Sequence, residues 1–189
     1  MPSEPAMQFF TPELYLRFNS PNEEDSMAAD EAWEAAIERY GEHLRSIGGR
    51  MPSQVVKLTD LALHDAEILL RQEQQEPLDN PYTPEWPLFV PWYGTFTFAT
   101  RRDDQVVTID YFLRDHVSEK QPTDNWPFSK SREHWLYDEV HLVGGPGTHF
   151  LHNVLLSTGV VLSIPFSTVR IKRFSVAQEE AKRRPSRSA

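Results

Sequence analysis

The sequence predicts an α+β protein in which one long N-terminal helix packs on a largely antiparallel, strongly bent sheet or partly closed barrel of about seven strands. A helical repeat of apolar residues between about residues 21 and 47 predicts the helix. Short segments of alternating apolar and polar residues, from about residue 60 to 174, predict the strands. These segments follow one another through short turns, so neighbouring strands should run antiparallel. So many short strands also need closure or a covering element to protect the sheet edges.

The chain has 189 residues, a length that suits one domain with a sizeable hydrophobic core. We expect a single α+β domain over residues 1–174 and a basic, disordered tail over residues 175–189. The chain contains no cysteine, which excludes disulfides, thiolate metal sites and a cysteine nucleophile. There is no signal-peptide pattern and no apolar run long enough to span a bilayer, so we expect a soluble, cytoplasmic protein that does not enter a membrane.

The charge of the chain is uneven. The formal net charge is −9, but residues 170–189 hold seven of the 19 Lys and Arg residues and only two of the 28 acidic residues. The preceding residues therefore carry 12 basic against 26 acidic side chains, a formal charge of −14. A body this acidic repels phosphate backbones, so we expect no nucleic-acid binding by the folded part. A protein partner is compatible with the charge, and the oligomeric state stays open.

The N-terminal part predicts a strand followed by the long helix. The alternating segment Pro12–Asn19 predicts the strand. Ser20 and Glu23 have the spacing of a capping box, so the helix should begin at about residue 21, and the glycines at 48 and 49 should end it. The apolar stripe of this helix, which should cover a sheet face, consists of Trp33, Ala36, Ile37, Tyr40, Leu44 and Ile47.

The middle of the chain predicts a short helix, a strand, a hairpin and a further strand. Residues 52–61 predict the short helix, and Ala66–Gln72 predict a strand that should pair with the strands at the C-terminal end. Two alternating segments around Arg102–Asp104 predict a hairpin, and residues 114–132 predict a loop. Residues 135–143 predict a strand whose two faces carry Leu136, Asp138, Val140 and Leu142 on one side and Trp135, Tyr137, Glu139 and His141 on the other.

Three consecutive strands are predicted between residues 146 and 174. The glycine-rich residues 144–147 predict a turn, and Thr158-Gly159 predicts a tight hairpin that needs a positive φ angle. Between these turns, Phe150, His152, Val154 and Leu156 should share the apolar face of one strand. Val160–Ile164 and Val169–Ile171 predict the return strands, with Pro165 marking an edge, a bulge or a bend between them.

Residues 77–93 contain five prolines and five aromatic residues, which predicts a long loop over the core and a candidate binding rim or lid. The aromatic rings could anchor a partner, or they could simply close the core. The candidate binding residues are Trp86, Phe89, Trp92 and Tyr93 in this loop and Trp135 and Tyr137 in the later strand.

Few residues could carry catalysis, because the chain lacks the common phosphate-loop, nucleophile-elbow, zinc-protease and dinucleotide motifs. The candidates are His64, Asp65, Glu139, His149 and His152. His64 and Asp65 also have a structural interpretation, in which Asp65 bonds nearby backbone amides and His64 fixes the turn. We expect no cofactor. The alternative is a metal site of His64, Asp65, His149 and His152, which requires convergence of the two regions and a bulge, because His149 and His152 should face opposite sides of a strand.

Two short motifs, LHDA at residues 63–66 leading into a strand and HNVLLSTG at residues 152–159, resemble those of a loose group of uncharacterised bacterial proteins. That group includes small immunity-type proteins. The resemblance covers about residues 60–174 and implies a compact β-rich module without an assigned reaction. It transfers no catalytic residue.

Two functions follow as hypotheses. The first is a non-enzymatic binding or protein-interaction module, in which the acidic surface and the aromatic residues recognise a partner. The alternative is a metal-dependent hydrolase that uses His64, Asp65 and His149 or His152. Convergence of the histidines and the Trp135–His141 face on one cleft would favour the hydrolase.

Overall fold

The computed structural model describes residues 7–74, 94–122, 126–128, 132–144 and 149–176. These residues form three helices, α1 (Pro12–Phe18), α2 (Glu23–Gly48) and α3 (Ser53–Thr59). They form seven strands, β1 (Glu67–Gln74), β2 (Thr95–Arg102), β3 (Gln105–Leu113), β4 (Ser118–Lys120), β5 (Trp135–Val143), β6 (His149–Leu156) and β7 (Val161–Ser175). The candidate binding loop at 77–93, residues 145–147 of the glycine-rich turn and the tail from residue 177 lie outside the described residues.

All seven strands belong to one antiparallel and strongly curled sheet, a half-barrel, which confirms the predicted α+β class. The strand order is β1-β2-β3-β7-β6-β5, and β4 pairs with β7 outside this path. In the hairpins β2–β3 and β5–β6, strands that follow each other in the sequence pair with each other. Strands β3 and β7 also pair, although a long stretch of chain separates them. The curl brings the two edges of the sheet towards each other.

The two sheet edges meet at one end. The backbone N–H of Ile68 in β1 donates to Glu133 O at 2.8 Å, and Trp135 N–H in β5 donates to Ala66 O at 2.9 Å. These bonds satisfy backbone groups that an open edge would expose. The strand beginning at residue 67 therefore pairs with β2 and touches the start of β5, so the prediction that it pairs with the C-terminal strands is wrong.

Strand β7 is the centre of the sheet, because it pairs with β3, β4 and β6. The prediction of two separate return strands is wrong, since Val161–Ser175 is one strand of 15 residues, but a bulge is among the features predicted at Pro165. Its register against β3 shifts between Phe166 and Thr168. A bulge thus absorbs the bend beside Pro165 without ending the strand.

The sheet carries one apolar cluster on each face. The cluster on the inner face of the half-barrel is the larger, and α3 contributes Val55 and Leu58 to it. Helices α1 and α2 and the segment from Met7 to Phe10 pack on the outer face, against Leu136, Leu155 and Val161. Full burial of each large apolar side chain stabilises the fold by about 1.5–3 kcal/mol, so both clusters matter.

Helix α2 confirms the predicted long helix with two differences. Its N-cap is Asn22, whose side chain accepts hydrogen bonds from the N–H groups of Glu24 and Asp25, so the helix begins two residues later than predicted. Trp33 and Ala36 are buried, but Ile37 is 47% exposed and does not belong to the core stripe. The helix therefore contacts the sheet through a narrower face than predicted.

The prediction of a strand at Pro12–Asn19 is wrong, because these residues form helix α1. Thr11 caps the helix by accepting a hydrogen bond from Leu14 N–H, and Pro12 occupies the first turn, where no donor is needed. Leu14, Tyr15 and Phe18 then pack against the outer cluster. The predicted loop at 114–132 contains the short strand β4. No helix in the described part of the chain is long and apolar enough to cross a membrane.

Candidate functional site

His64 and Asp65 lie at the junction between α3 and β1, where both contact the edge of β5. Asp65 has a left-handed backbone (φ 63°), and its N–H donates to Trp135 O at 2.8 Å. His64 donates from Nδ1 to Leu136 O at 2.7 Å, because a carbonyl can only accept. Its Nε2 lies 3.3 Å from Asp65 Oδ2. Their side chains are 46% and 63% exposed, so this backbone-anchored pair faces solvent.

Aromatic rings adjoin this pair. The ring of Tyr137 lies 4.7 Å from that of His64, and the ring of Tyr15 lies 6.0 Å from that of Tyr137, measured between centroids. Trp126 stacks on Tyr15 at 5.8 Å and Phe128 meets it edge-on at 5.4 Å. All four aromatic side chains are half-buried. We call the surface formed by Tyr15, His64, Asp65, Trp126, Phe128 and Tyr137 the Tyr15–Tyr137 patch.

Asp65 influences the ionisation of both tyrosines in the patch. Burial raises the pKa of Tyr15 above its usual value, and the Asp65 carboxylate raises it further. Burial, Tyr15 and Asp65 together raise the pKa of Tyr137. Both phenols therefore stay neutral at physiological pH. The exposed carboxylate is the negative charge that the patch presents.

Trp135 does not share a face with Tyr137. The register of β5 against β6 shifts between these two residues, so a bulge places Trp135 in the inner core and leaves Leu136 and Tyr137 on the outer face. Trp135 is fully buried, and its Nε1–H donates to Asp138 Oδ1 at 2.9 Å. A partner cannot reach Trp135 at this position, so its prediction as a binding residue is wrong. Tyr137 lies at the partly exposed patch.

His152 belongs to a polar chain inside the inner core. Its Nδ1 lies 2.8 Å from the Tyr111 hydroxyl, and its Nε2 lies 3.0 Å from Asp138 Oδ2. His152 and Tyr111 are fully buried, whereas the Asp138 side chain is 23% exposed. Burial, with a smaller effect of Asp138, holds the pKa of Tyr111 well above its usual value. The chain has the order of a nucleophile, a base and an orienting acid, but its hydroxyl is closed off from solvent.

Glu139 holds the N-terminal segment on the sheet. Its fully buried carboxylate accepts hydrogen bonds from three consecutive backbone N–H groups, those of Gln8, Phe9 and Phe10, at 2.6–2.8 Å. His141 Nε2 lies 2.9 Å from the same carboxylate. These contacts satisfy a buried charge that would otherwise be costly, so Glu139 has a structural role.

The predicted metal residues do not converge. His64 contacts the start of β5, whereas His149 pairs with Val143 at the far end of the β5–β6 hairpin. At about 3.3 Å per strand residue, these positions are roughly 20 Å apart. His152 faces the inner core and is engaged by Tyr111 and Asp138. Across the described ranges, no group of three or more His, Asp or Glu residues could hold a metal ion.

The sequence alone does not predict the Tyr15–Tyr137 patch, because its residues come from four separate parts of the chain. The helical Thr11-Pro12 start could have identified α1 and so the position of Tyr15. The bulge that separates Tyr137 from Trp135 has no signal in the strand pattern. Comparison with protein-family models finds no match to this chain, and comparison with curated proteins finds no significant match. The geometry of the patch is the ground on which a function can be proposed.

Proposed function

We propose that this protein is a non-enzymatic protein-interaction module that binds a basic segment of a partner at the Tyr15–Tyr137 patch. One observation carries the proposal, namely the exposed Asp65 carboxylate beside the half-buried rings of Tyr15 and Tyr137. A Lys or Arg side chain can pair with such a carboxylate while its charge or its stem lies on an aromatic ring. The backbone bonds of His64 and Asp65 to β5 keep the site rigid, which reduces the entropy lost on binding.

The negative charge of helix α2 supports the proposal that the partner is basic. It carries eight acidic residues and two arginines, and every one of these side chains is exposed. A concentrated negative field attracts a basic partner and repels acidic ones, and it acts mainly on the association rate. The resemblance of residues 63–66 and 152–159 to proteins without an assigned reaction is in keeping with a binding role.

The hydrolase alternative has weaker support. His64 and Asp65 are accessible but adjoin rings and backbone carbonyls, whereas the ordered Tyr111–His152–Asp138 chain has a fully buried hydroxyl. A nucleophile must reach the reacting carbon of its substrate. In the described structure, the residues that a substrate could reach are therefore not the residues that are arranged as a catalytic chain.

The proposal is tested by the variant Asp65→Asn, with Asp103→Asn as its matched control. Both residues are exposed aspartates with a left-handed backbone, at φ 63° and 54°, a conformation that asparagine adopts readily. Each substitution therefore removes one charge without strain. With fluorescent Lys- and Arg-rich peptides, we expect Asp65→Asn to weaken binding about three- to fivefold, the value of a partly exposed ion pair, and Asp103→Asn to leave it unchanged.

Equal affinity of the two variants, or equal binding of basic peptides and of Gln-substituted peptides, would overturn the proposal. A check that needs no partner is the titration of the tyrosines. Asp65→Asn should lower the pKa of Tyr15 and Tyr137, because the carboxylate that raises both values is removed.

A further inference from the structure

A pocket of about 270 Å³ lies at the end of the half-barrel where the β2–β3 hairpin turns. The linker between α3 and β1 forms one wall, through residues 60–63. The ends of β2, β3 and β7 form the other wall, through Arg102, Val107 and Arg173 among others. This volume lies just below the range of roughly 300–1,000 Å³ that is typical of small-molecule sites. The pocket is separate from the Tyr15–Tyr137 patch and shares no residue with it.

The strand register directs two arginines into this pocket. Val107 of β3 pairs with Thr100 of β2 and with Arg173 of β7, so these three side chains share the inner face. Arg102 lies two residues beyond Thr100 and faces the same side. Lys172, next to Arg173, points to the opposite face. Arg102 and Arg173 thus approach one space from two strands.

Neither guanidinium forms an ion pair with a carboxylate of the described residues, although two aspartates line the same pocket. On the sheet and beside it, Arg71, Arg101, Arg132 and Arg170 have Asp or Glu partners within 4.0 Å. For Arg102 and Arg173 there is no such partner among the described residues, and the hydrogen bond of Arg102 is a long one, 3.4 Å from Nη1 to Ala62 O. Asp60 and Asp103 also line the pocket without pairing with them. In an acidic chain, two unpaired guanidinium groups are free to bind an anion.

The walls of the pocket also present apolar surface. Leu61, Ala62 and Leu63 line the linker side, and Val107 lies opposite on the sheet. An inorganic anion would leave this apolar surface exposed to water, whereas the apolar body of an organic anion would bury part of it. We propose that the pocket binds a small organic anion, with a carboxylate or phosphate group on Arg102 and Arg173 and an apolar body against Leu61–Leu63.

The test is an NMR titration of the full chain with benzoate and with phenyl phosphate, using neutral benzamide as the control ligand. We expect saturable shifts of the backbone amides of Leu61, Leu63 and Gln105 with at least one of the two anions and none with benzamide. The anion that binds more tightly identifies the head group. Arg102→Gln and Arg173→Gln should each weaken binding about tenfold, the scale of a lost charge-assisted hydrogen bond.

The matched control variant is Lys172→Gln, which removes the same charge from the opposite face of β7. It should bind as tightly as the unmodified chain. The proposal is overturned if neither anion gives saturable shifts at these amides, or if Lys172→Gln weakens binding as much as the arginine variants do. The latter result would indicate attraction to general positive charge. All three substituted side chains are exposed, so the fold should tolerate each change.

Discussion

His152 is held in one tautomer by its neighbours. The Nε1–H of Trp135 donates to Asp138 Oδ1. A carboxylate accepts hydrogen bonds, so its other oxygen accepts the Nε2–H of His152. His152 Nδ1 is then left to accept from the Tyr111 hydroxyl. Each polar atom that links these four side chains has a partner of the correct kind, so the chain can lie inside an apolar core without the cost of unpaired groups. It fixes how β3, β5 and β6 are placed around the core.

Replacement of Tyr111 by Phe tests this polar chain. The change removes one hydroxyl and leaves His152 Nδ1 buried without a donor, which should cost about 1–3 kcal/mol of unfolding free energy. Urea denaturation measures the loss as a lower midpoint at constant slope. Tyr137→Phe at the half-exposed patch is the control and should change stability by less than about 0.5 kcal/mol. Equal effects of the two variants would show that the buried hydrogen bond does not contribute.

The elements that could be predicted from the sequence are those governed by local patterns. The period of α2, the β2–β3 hairpin and the alternation of β6 are readable because side-chain direction follows directly from the repeat. Helix α1 was not predicted correctly, because seven residues are too few to separate a helical from a strand repeat. The partner of β1 and the bulge in β5 depend on contacts between distant residues. Of the patch, His64, Asp65 and Tyr137 could be identified singly, but their assembly with Tyr15 could not.

The turn between β6 and β7 packs against Trp126 of the Tyr15–Tyr137 patch. Gly159 has φ 82°, as the predicted hairpin requires, and a Cβ there would lie 2.5 Å from a ring carbon of Trp126 and 2.7 Å from Pro122 Cβ. Gly159→Ala should therefore cost about 1–3 kcal/mol and displace Trp126, which a change in tryptophan fluorescence would report. Gly144→Ala is the control, because among the described residues no atom outside its chain neighbours lies within 4 Å of the added Cβ. An unchanged unfolding midpoint in Gly159→Ala would contradict the close approach of the ring.

At the scale of the molecule, most charged side chains of the described residues lie outside the two apolar clusters, with Asp110 and Glu139 as buried exceptions. The acids of α2 face solvent, and Glu67 on β1 pairs with Arg101 and Arg132. The clusters on the two sheet faces instead hold neutral phenols, among them Tyr40, whose hydroxyl accepts the Val140 N–H at the edge of β5. The body can therefore be strongly acidic without placing many charges in its core. Stability should respond to alkaline pH mainly through the tyrosines.

All four tyrosines of the described residues have a raised pKa, with burial as the largest cause. Above about pH 10 the unfolded chain releases phenol protons that the folded chain retains, so the stabilisation is complete below pH 10 and is lost as the pH rises further. Tyr40 and Tyr111, which are the more deeply buried, should each lower the unfolding free energy by about 1.4 kcal/mol per pH unit, whereas the half-exposed Tyr15 and Tyr137 should contribute less. Urea denaturation between pH 9 and 11 measures this slope. Tyr111→Phe removes one titrating group, so its slope should be shallower by that amount although its stability at neutral pH is lower. An identical slope in the variant and the unmodified chain would show that Tyr111 ionises as readily in the folded as in the unfolded protein.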